Sequence, residues 1–294
     1  MHKSVKSLFW VALTLCCTSL ALGQQPTSPE EPDFAFITGG PFTQGKKVPQ
    51  FISAFNYGRF KGPSKRFFSD NWSRTLRIEW GFTDKLEGDF IFGNYESVTR
   101  SSAGRFGERG WDDTVAGIRY RLLNEEDHPF TLTLGPQVIA PTSAGSDWTY
   151  AVDIASAKDW GGPVFIFTSL NYRVTPGVER LTSSSAESTF HGLNWASALG
   201  LRLLEQKRAN GSLQDIHGFL ELGGEVEQEF ESPLLSSKKD SRHAVLFAPG
   251  IRWGFMTPRK NLFELGISFP LGLNRHAADW GIIAQLQIEI PVPD

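Results

Sequence analysis

The side chains of this sequence that could do chemistry are charged ones spaced two apart. Arg77 and Glu79, Glu87 and Asp89, and Arg119 and Arg121 each sit at positions i and i+2. Glu221, Glu225, Glu227 and Glu229 form an acidic run with the same parity. On an extended chain, residues two apart share a face. Such a face suits ion pairing or the lining of a polar passage, since nothing in it supplies a nucleophile with its base. Like charges two apart repel, so the acidic run requires arginine neighbours, a cation or water. The histidines that could serve as bases, His128, His191, His217, His243 and His276, are scattered and read as surface or interface residues. No Gly-x-Ser-x-Gly, His-Glu-x-x-His or phosphate loop occurs. The segment Thr189-Phe-His-Gly-Leu-Asn194 lacks the serine that a barrel phospholipase would need. An enzyme is not expected, no metal spacing is evident, and no cofactor is implied.

The elements that carry these charges alternate. Trp72, Leu76, Ile78, Trp80 and Phe82 share one face against Ser73, Thr75, Arg77, Glu79 and Gly81. Leu193, Trp195, Leu199, Leu201 and Leu203 oppose Asn194, Ala196, Gly200 and Arg202. Phe263, Leu265, Ile267, Phe269 and Leu271 oppose Glu264, Gly266 and Ser268. Trp280, Ile282, Ala284, Leu286, Ile288 and Ile290 oppose Gly281, Gln285, Gln287 and Glu289. This is the period of a strand, and no helical amphipathicity competes. Segment 162–174 is less regular, because Phe165 and Phe167 blur its two faces; with Phe219 they are candidates for an inward-facing ligand stack. The pattern predicts about twelve strands, near 50–60, 71–82, 86–96, 111–123, 129–141, 149–157, 162–174, 190–205, 214–230, 243–257, 261–273 and 279–291.

Gaps after odd-numbered strands (61–70, 97–110, 142–148, 174–189, 231–242, 274–278) are mostly longer than those after even ones (83–85, 124–128, 158–161, 206–213, 258–260). Alternating long loops and short turns is the habit of a transmembrane antiparallel up-and-down β-barrel with both termini on the short-turn side. Such a barrel faces lipid with its apolar side, so Leu199 and Leu286 are expected outside and Arg202 and Gln285 inside. The expected lumen-lining residues are Arg77, Glu79, Asp113, Arg119, Arg121, Arg173, Arg202, Glu221, Glu225, Glu227, Arg252 and Glu264, with Glu87, Asp89 and Glu289 on the same face. Trp72, Trp80, Trp195, Trp253, Phe255, Phe263 and Trp280 read as interfacial girdle.

The N-terminal region reads as an export signal. Lys3 and Lys6 precede the apolar run Leu8 to Leu22, and Ala21-Leu22-Gly23 offers small residues for cleavage before Gln24. Both cysteines, Cys16 and Cys17, fall within that run, so the 294 − 23 = 271 residues that remain have no disulfide framework. Without Lys3 and Lys6 the balance is 27 basic against 32 acidic residues, a net charge of −5, which is no footprint for nucleic acid. Residues 1–23 are thus expected as signal peptide and 24–49 as a periplasmic leader or plug segment, with its one apolar patch at Asp33-Phe-Ala-Phe-Ile-Thr38. Residues 50–294 are expected as the barrel. The expected location is the bacterial outer membrane, with its lipids, the barrel assembly machinery and a small-molecule solute as partners.

Five short segments stand out: Glu79-Trp-Gly-Phe-Thr-Asp-Lys-Leu-Glu87, Gly110-Trp-Asp-Asp113, Gly117-Ile-Arg-Tyr-Arg-Leu-Leu123, Pro136 to Gly145 with Ala140-Pro-Thr142, and Pro249-Gly-Ile-Arg-Trp253. They resemble segments of the meta-pathway phenol-degradation family of outer-membrane transporter-like barrels. The resemblance runs from about Trp72 to the C-terminus. It implies an exported barrel that takes up small, hydrophobic or aromatic solutes, and it implies no catalytic residues. Ser143-Ala-Gly-Ser-Asp147 matches the family's acidic turn only in part, and the chain ends Ile290-Pro-Val-Pro-Asp294 where barrels commonly finish on an aromatic residue. A passive channel is therefore one expectation; an occluded structural or surface-interaction barrel is the other.

Overall fold

A computed structural model describes residues 36–61, 68–101, 104–142, 147–179, 187–207, 212–231, 241–259 and 261–290. The expected signal peptide, residues 24–35 of the leader and the last four residues lie outside it. The strands are β1 Pro49–Lys61, β2 Phe68–Thr83, β3 Leu86–Ser101, β4 Gly104–Trp111, β5 Thr114–Leu123, β6 Thr131–Ala140, β7 Thr149–Asp159, β8 Val164–Glu179, β9 Glu187–Lys207, β10 Leu213–Glu231, β11 Ser241–Met256, β12 Leu262–Ser268, β13 Leu271–Gly272 and β14 Trp280–Glu289. All pairings are antiparallel, and β14 returns to β1 in register from Gln50 opposite Glu289 to Arg59 opposite Trp280. The sheet is a closed barrel. Closure leaves the wall without a first or last strand, which is the condition for strands to cross hydrocarbon.

The fourteen elements make twelve staves. The lower part of β3 pairs with β5 and its upper part with β4, so β4 and β5 occupy one position in the wall. β12 and β13 likewise form one stave, broken at Phe269-Pro270, where proline has no N–H to give the ladder. The pairing resumes at once, since the Pro270 carbonyl accepts the Gly281 N–H at 2.8 Å.

Two of the expected loops prove to be largely strand. Residues 97–110 form most of the β3–β4 hairpin, and β8 and β9 extend through Glu179 and from Glu187. The apolar alternation that marks a strand exists only where one face meets hydrocarbon. In the hairpin, Arg100, Arg105, Glu108 and Arg109 interrupt it while backbone pairing continues.

Polarity is inverted relative to a soluble sheet. Phe51, Trp80, Phe90, Ile118, Leu134, Ile154, Leu199, Leu220, Ile251, Leu265 and Leu286 are exposed on the outside. Gln50, Glu79, Glu87, Arg119, Thr131, Glu221, Arg252 and Gln287 are buried within. A continuous apolar exterior of this extent is covered by bilayer. Trp72 and Trp80 lie eight positions apart on β2. At about 3.3 Å per residue and a tilt near 40°, they are separated by roughly 20 Å along the barrel axis, close to the height of an apolar band.

Candidate functional site: the barrel interior

The chain enters the barrel before it becomes wall. From Phe36 to Val48 it crosses the lumen from mid-height to the short-turn end and runs straight into β1. Phe36 lies edge-on to Phe219, with ring centroids 6.0 Å apart, and Phe42 packs on Phe167 at 5.9 Å. Phe165, Phe167, Phe219, Ala157 and Ala198 complete an apolar cluster inside the barrel. Glycines make the room: a Cβ at Gly266 would meet the Phe36 ring at 2.6 Å, and one at Gly81 would lie 2.1 Å from the Gly45 carbonyl oxygen.

Polar bonds fix the same segment. The Glu221 carboxylate accepts the backbone N–H groups of Phe36, Ile37 and Thr38 at 2.9, 2.8 and 2.9 Å, and the Thr38 hydroxyl at 3.1 Å. Glu87 accepts the Gln44 N–H at 2.7 Å, and the Thr43 hydroxyl donates to the Asp84 carbonyl at 2.9 Å. A segment without its own strand partners thus finds acceptors on the barrel wall, as buried backbone N–H groups require.

The other charged side chains fall into separate groups. On β2, β3 and β5, Arg77 bridges Glu79 (2.8 Å) and Asp89 (2.9 Å), while Arg119 bonds Glu87 at 2.9 Å and lies 3.8 Å from Glu79. Arg121 donates to the Asp84 carbonyl at the adjacent turn. Arg202 pairs with Asp159 and donates to the Gly162 carbonyl at 2.6 Å, with its guanidinium 4.9 Å from the centre of the Phe165 ring. Arg252 lies 3.5 Å from Glu264, donates to Gln285 at 3.3 Å, and stands over Phe36 and Phe219 at 5.6 and 5.5 Å. Arg173 faces two acids of β10, Glu225 and Glu227 (2.6 Å to the latter). Of the acidic run, Glu221 therefore serves the inserted segment and Glu225 and Glu227 share Arg173; the Glu229 side chain lies outside the described residues.

Above the inserted segment, toward the long-loop end, an open cavity of about 450 Å³ remains. Ile91, Val115 and Ile139 give it an apolar wall, and Asp113, Arg173 and Glu227 a charged one. Its size and mixed lining suit a small amphipathic molecule. Among the described residues no group of three or more His, Cys, Asp or Glu side chains is placed to hold a metal ion.

Two sequence expectations need correction. His217 is buried on the inner wall, edge-on to Phe165 at 5.8 Å, and is no surface residue. Phe165, Phe167 and Phe219 do point inward, but they are filled by Phe36 and Phe42 of the same chain and form no open ligand stack. The apolar patch at 33–38 was the only sequence signal for this; its counterpart Glu221 is 183 to 185 positions away and carries no local mark.

No family model and no curated protein matches the chain. Solved structures do. An outer membrane channel from Pseudomonas putida F1 superposes with a TM-score of 0.60 at 13% identity, over 88% of this chain and 99% of that one. The β domain of the Bordetella autotransporter BrkA superposes with a TM-score of 0.51 at 14% identity, over 82% and 99%. At these identities the likeness is one of fold: a barrel of the outer-membrane kind.

Proposed function

We propose that the protein is a bacterial outer-membrane channel for small amphipathic solutes, closed toward the periplasm by its own segment 36–48. The observation that carries the reading is the division of the lumen into an open outer cavity and a filled inner half. A solute with an apolar body meets Ile91, Val115 and Ile139, and a polar tip meets Arg173 or Asp113. Passage beyond requires Phe36 and Phe42 to leave their aromatic partners. The polar contacts that hold them depend largely on one carboxylate, Glu221, and on Glu87. The motif resemblance to the phenol-degradation family supports a solute with an apolar or aromatic part, and the fold of the Pseudomonas channel supports transport. In this placement the short turns and the N-terminus face the periplasm, and the charged residues of the upper lumen set selectivity.

The test is flux. Liposomes carrying the mature chain should admit small aromatic acids or alcohols faster than sugars of equal mass. A second reading is a permanently sealed barrel that serves surface interactions, and the filled inner half speaks for it. Absence of flux for every solute, with and without segment 36–48, would leave only that second reading.

A further inference from the structure

The outside of the barrel is not uniformly apolar. On β1 to β4, from the row of Phe55 and Trp111 upward, directly paired residues form rows that face outward together. Arg59 stands beside Asp70; Tyr57 beside Trp72, then Glu96 and Arg109; Phe55 beside Arg74, then Asn94 and Trp111; Arg100 beside Arg105. With Lys61 this surface holds six basic side chains against two acidic ones, Asp70 and Glu96, on a chain whose net charge is −3. Asp70 is already engaged, by Arg59 at 3.1 Å and the Tyr57 hydroxyl at 2.8 Å. Arg74 and Arg109 are exposed and, among the described residues, have no hydrogen-bond or ion-pair partner. They flank an open groove of about 630 Å³ floored by Phe55, Trp72 and Trp111. Just below it, Leu76 and Phe92 are paired on the apolar band.

An unpaired arginine on the outer face of a barrel is costly at mid-membrane and nearly free at headgroup level. Two of them among tryptophans, over an apolar floor, therefore mark the interface. A guanidinium is a forked donor matched to phosphate. We infer that this groove binds a phosphorylated glycolipid of the outer leaflet, its phosphate held between Arg74 and Arg109 and an acyl chain lying along Phe55, Leu76 and Phe92. A lipid fits better than free phosphate because the groove opens downward onto apolar surface, which a bare anion would not use. Glu96 stands between the two arginines in the rows and works against the anion, tempering affinity. The inference rests on the membrane placement proposed above, with the long-loop end outward.

The experiment compares the mature chain with an Arg74→Gln/Arg109→Gln variant, both folded in one detergent, titrated with diphosphorylated lipid A and read by native mass spectrometry. The double variant should bind at least tenfold more weakly. Lipid A stripped of its phosphates should bind the unaltered chain as weakly, and Glu96→Gln should bind the phosphorylated form several-fold more tightly. Unchanged binding by the double variant, or equal binding of the stripped lipid, overturns the inference. Displacement of the lipid by an equal concentration of inorganic phosphate overturns the lipid as occupant. If the double variant fails to fold, the stripped lipid and Glu96→Gln decide. Both arginines lie outside the lumen, so solute flux should be equal in the two proteins. A failure of flux with lipid binding intact would count against the channel alone.

Discussion

The Glu221 carboxylate holds the backbone nitrogen of Phe36 at 2.9 Å, across 185 positions of sequence. A wall residue of β10 thereby anchors the chain that precedes β1, and one side chain accepts three consecutive backbone N–H groups. We predict that Glu221→Gln loosens this anchor. The amide keeps the shape but loses the charge and one acceptor, and hydrogen bonds to charged groups contribute about 1.5–3 kcal/mol each. A net loss of about 2 kcal/mol would shift the seated-to-released equilibrium roughly 30-fold. Limited proteolysis of the folded barrel in detergent would show it as faster cleavage within 36–48; unchanged cleavage would mean the carboxylate is not the anchor.

Phe36 offers a second way to unseat the segment. Its ring lies against Gly250 and Gly266, and a Cβ on Gly266 would come within 2.6 Å of it. Gly266→Ala should expel the ring while leaving the wall intact, because the next nearest atom to that Cβ beyond the ring is the Ile251 carbonyl oxygen at 3.6 Å. Phe36→Ala should act in the same direction by about 3 kcal/mol through the cavity it leaves. Either change should raise solute flux without altering the heat resistance of the barrel in detergent gels. A barrel destabilised by Gly266→Ala with flux unchanged would count against this packing account.

The buried ion pairs of the inner wall behave differently from surface ones. Arg119 lies between Glu87 and Glu79, all three shielded from solvent. Replacing Arg119 by Leu leaves two carboxylates in a closed space, and removing one member of a buried pair typically costs about 3–5 kcal/mol. Glu79 keeps Arg77, but among the described residues Glu87 keeps the Gln44 N–H alone. The expected result is loss of the heat-resistant folded form. Full heat resistance in Arg119→Leu would show the network to be dispensable.

The outward face of the closing strand is the fourth test. Leu286 is exposed and paired with Ser53 and Leu265, whereas Gln285 beside it faces inward and accepts from Arg252 at 3.3 Å. Leu286→Arg should destabilise by roughly 2–4 kcal/mol near mid-bilayer. Gln285→Glu should be mild, since the new charge meets the Arg252 guanidinium. Refolding yields into lipid vesicles would separate the two, and the opposite order would require a one-residue slip of β14.

What was legible in the sequence follows from which surface constrains it. β2, β12 and β14 could be read because hydrocarbon demands an apolar residue at every second position. The β3–β4 hairpin could not, because Arg100, Arg105 and Arg109 stand beyond the hydrocarbon, where no such demand exists. β8 was blurred for a third reason: Phe165 and Phe167 face a lumen that the chain itself fills, so both faces are apolar. The pairing of Glu221 with the 36–38 backbone leaves no trace in either segment beyond an apolar patch and one member of an acidic run. Backbone N–H groups carry no side-chain identity, and only the folded chain brings them to that carboxylate.

The central claim is that segment 36–48 closes a passage that is otherwise continuous. Single-channel conductance in planar bilayers tests it most directly, comparing the chain from Gln24 onward with one that begins at Pro49. The account predicts small or rare openings for the longer chain and a stable, several-fold larger conductance for the shorter one. Equal conductance in both, or none in either, would contradict it.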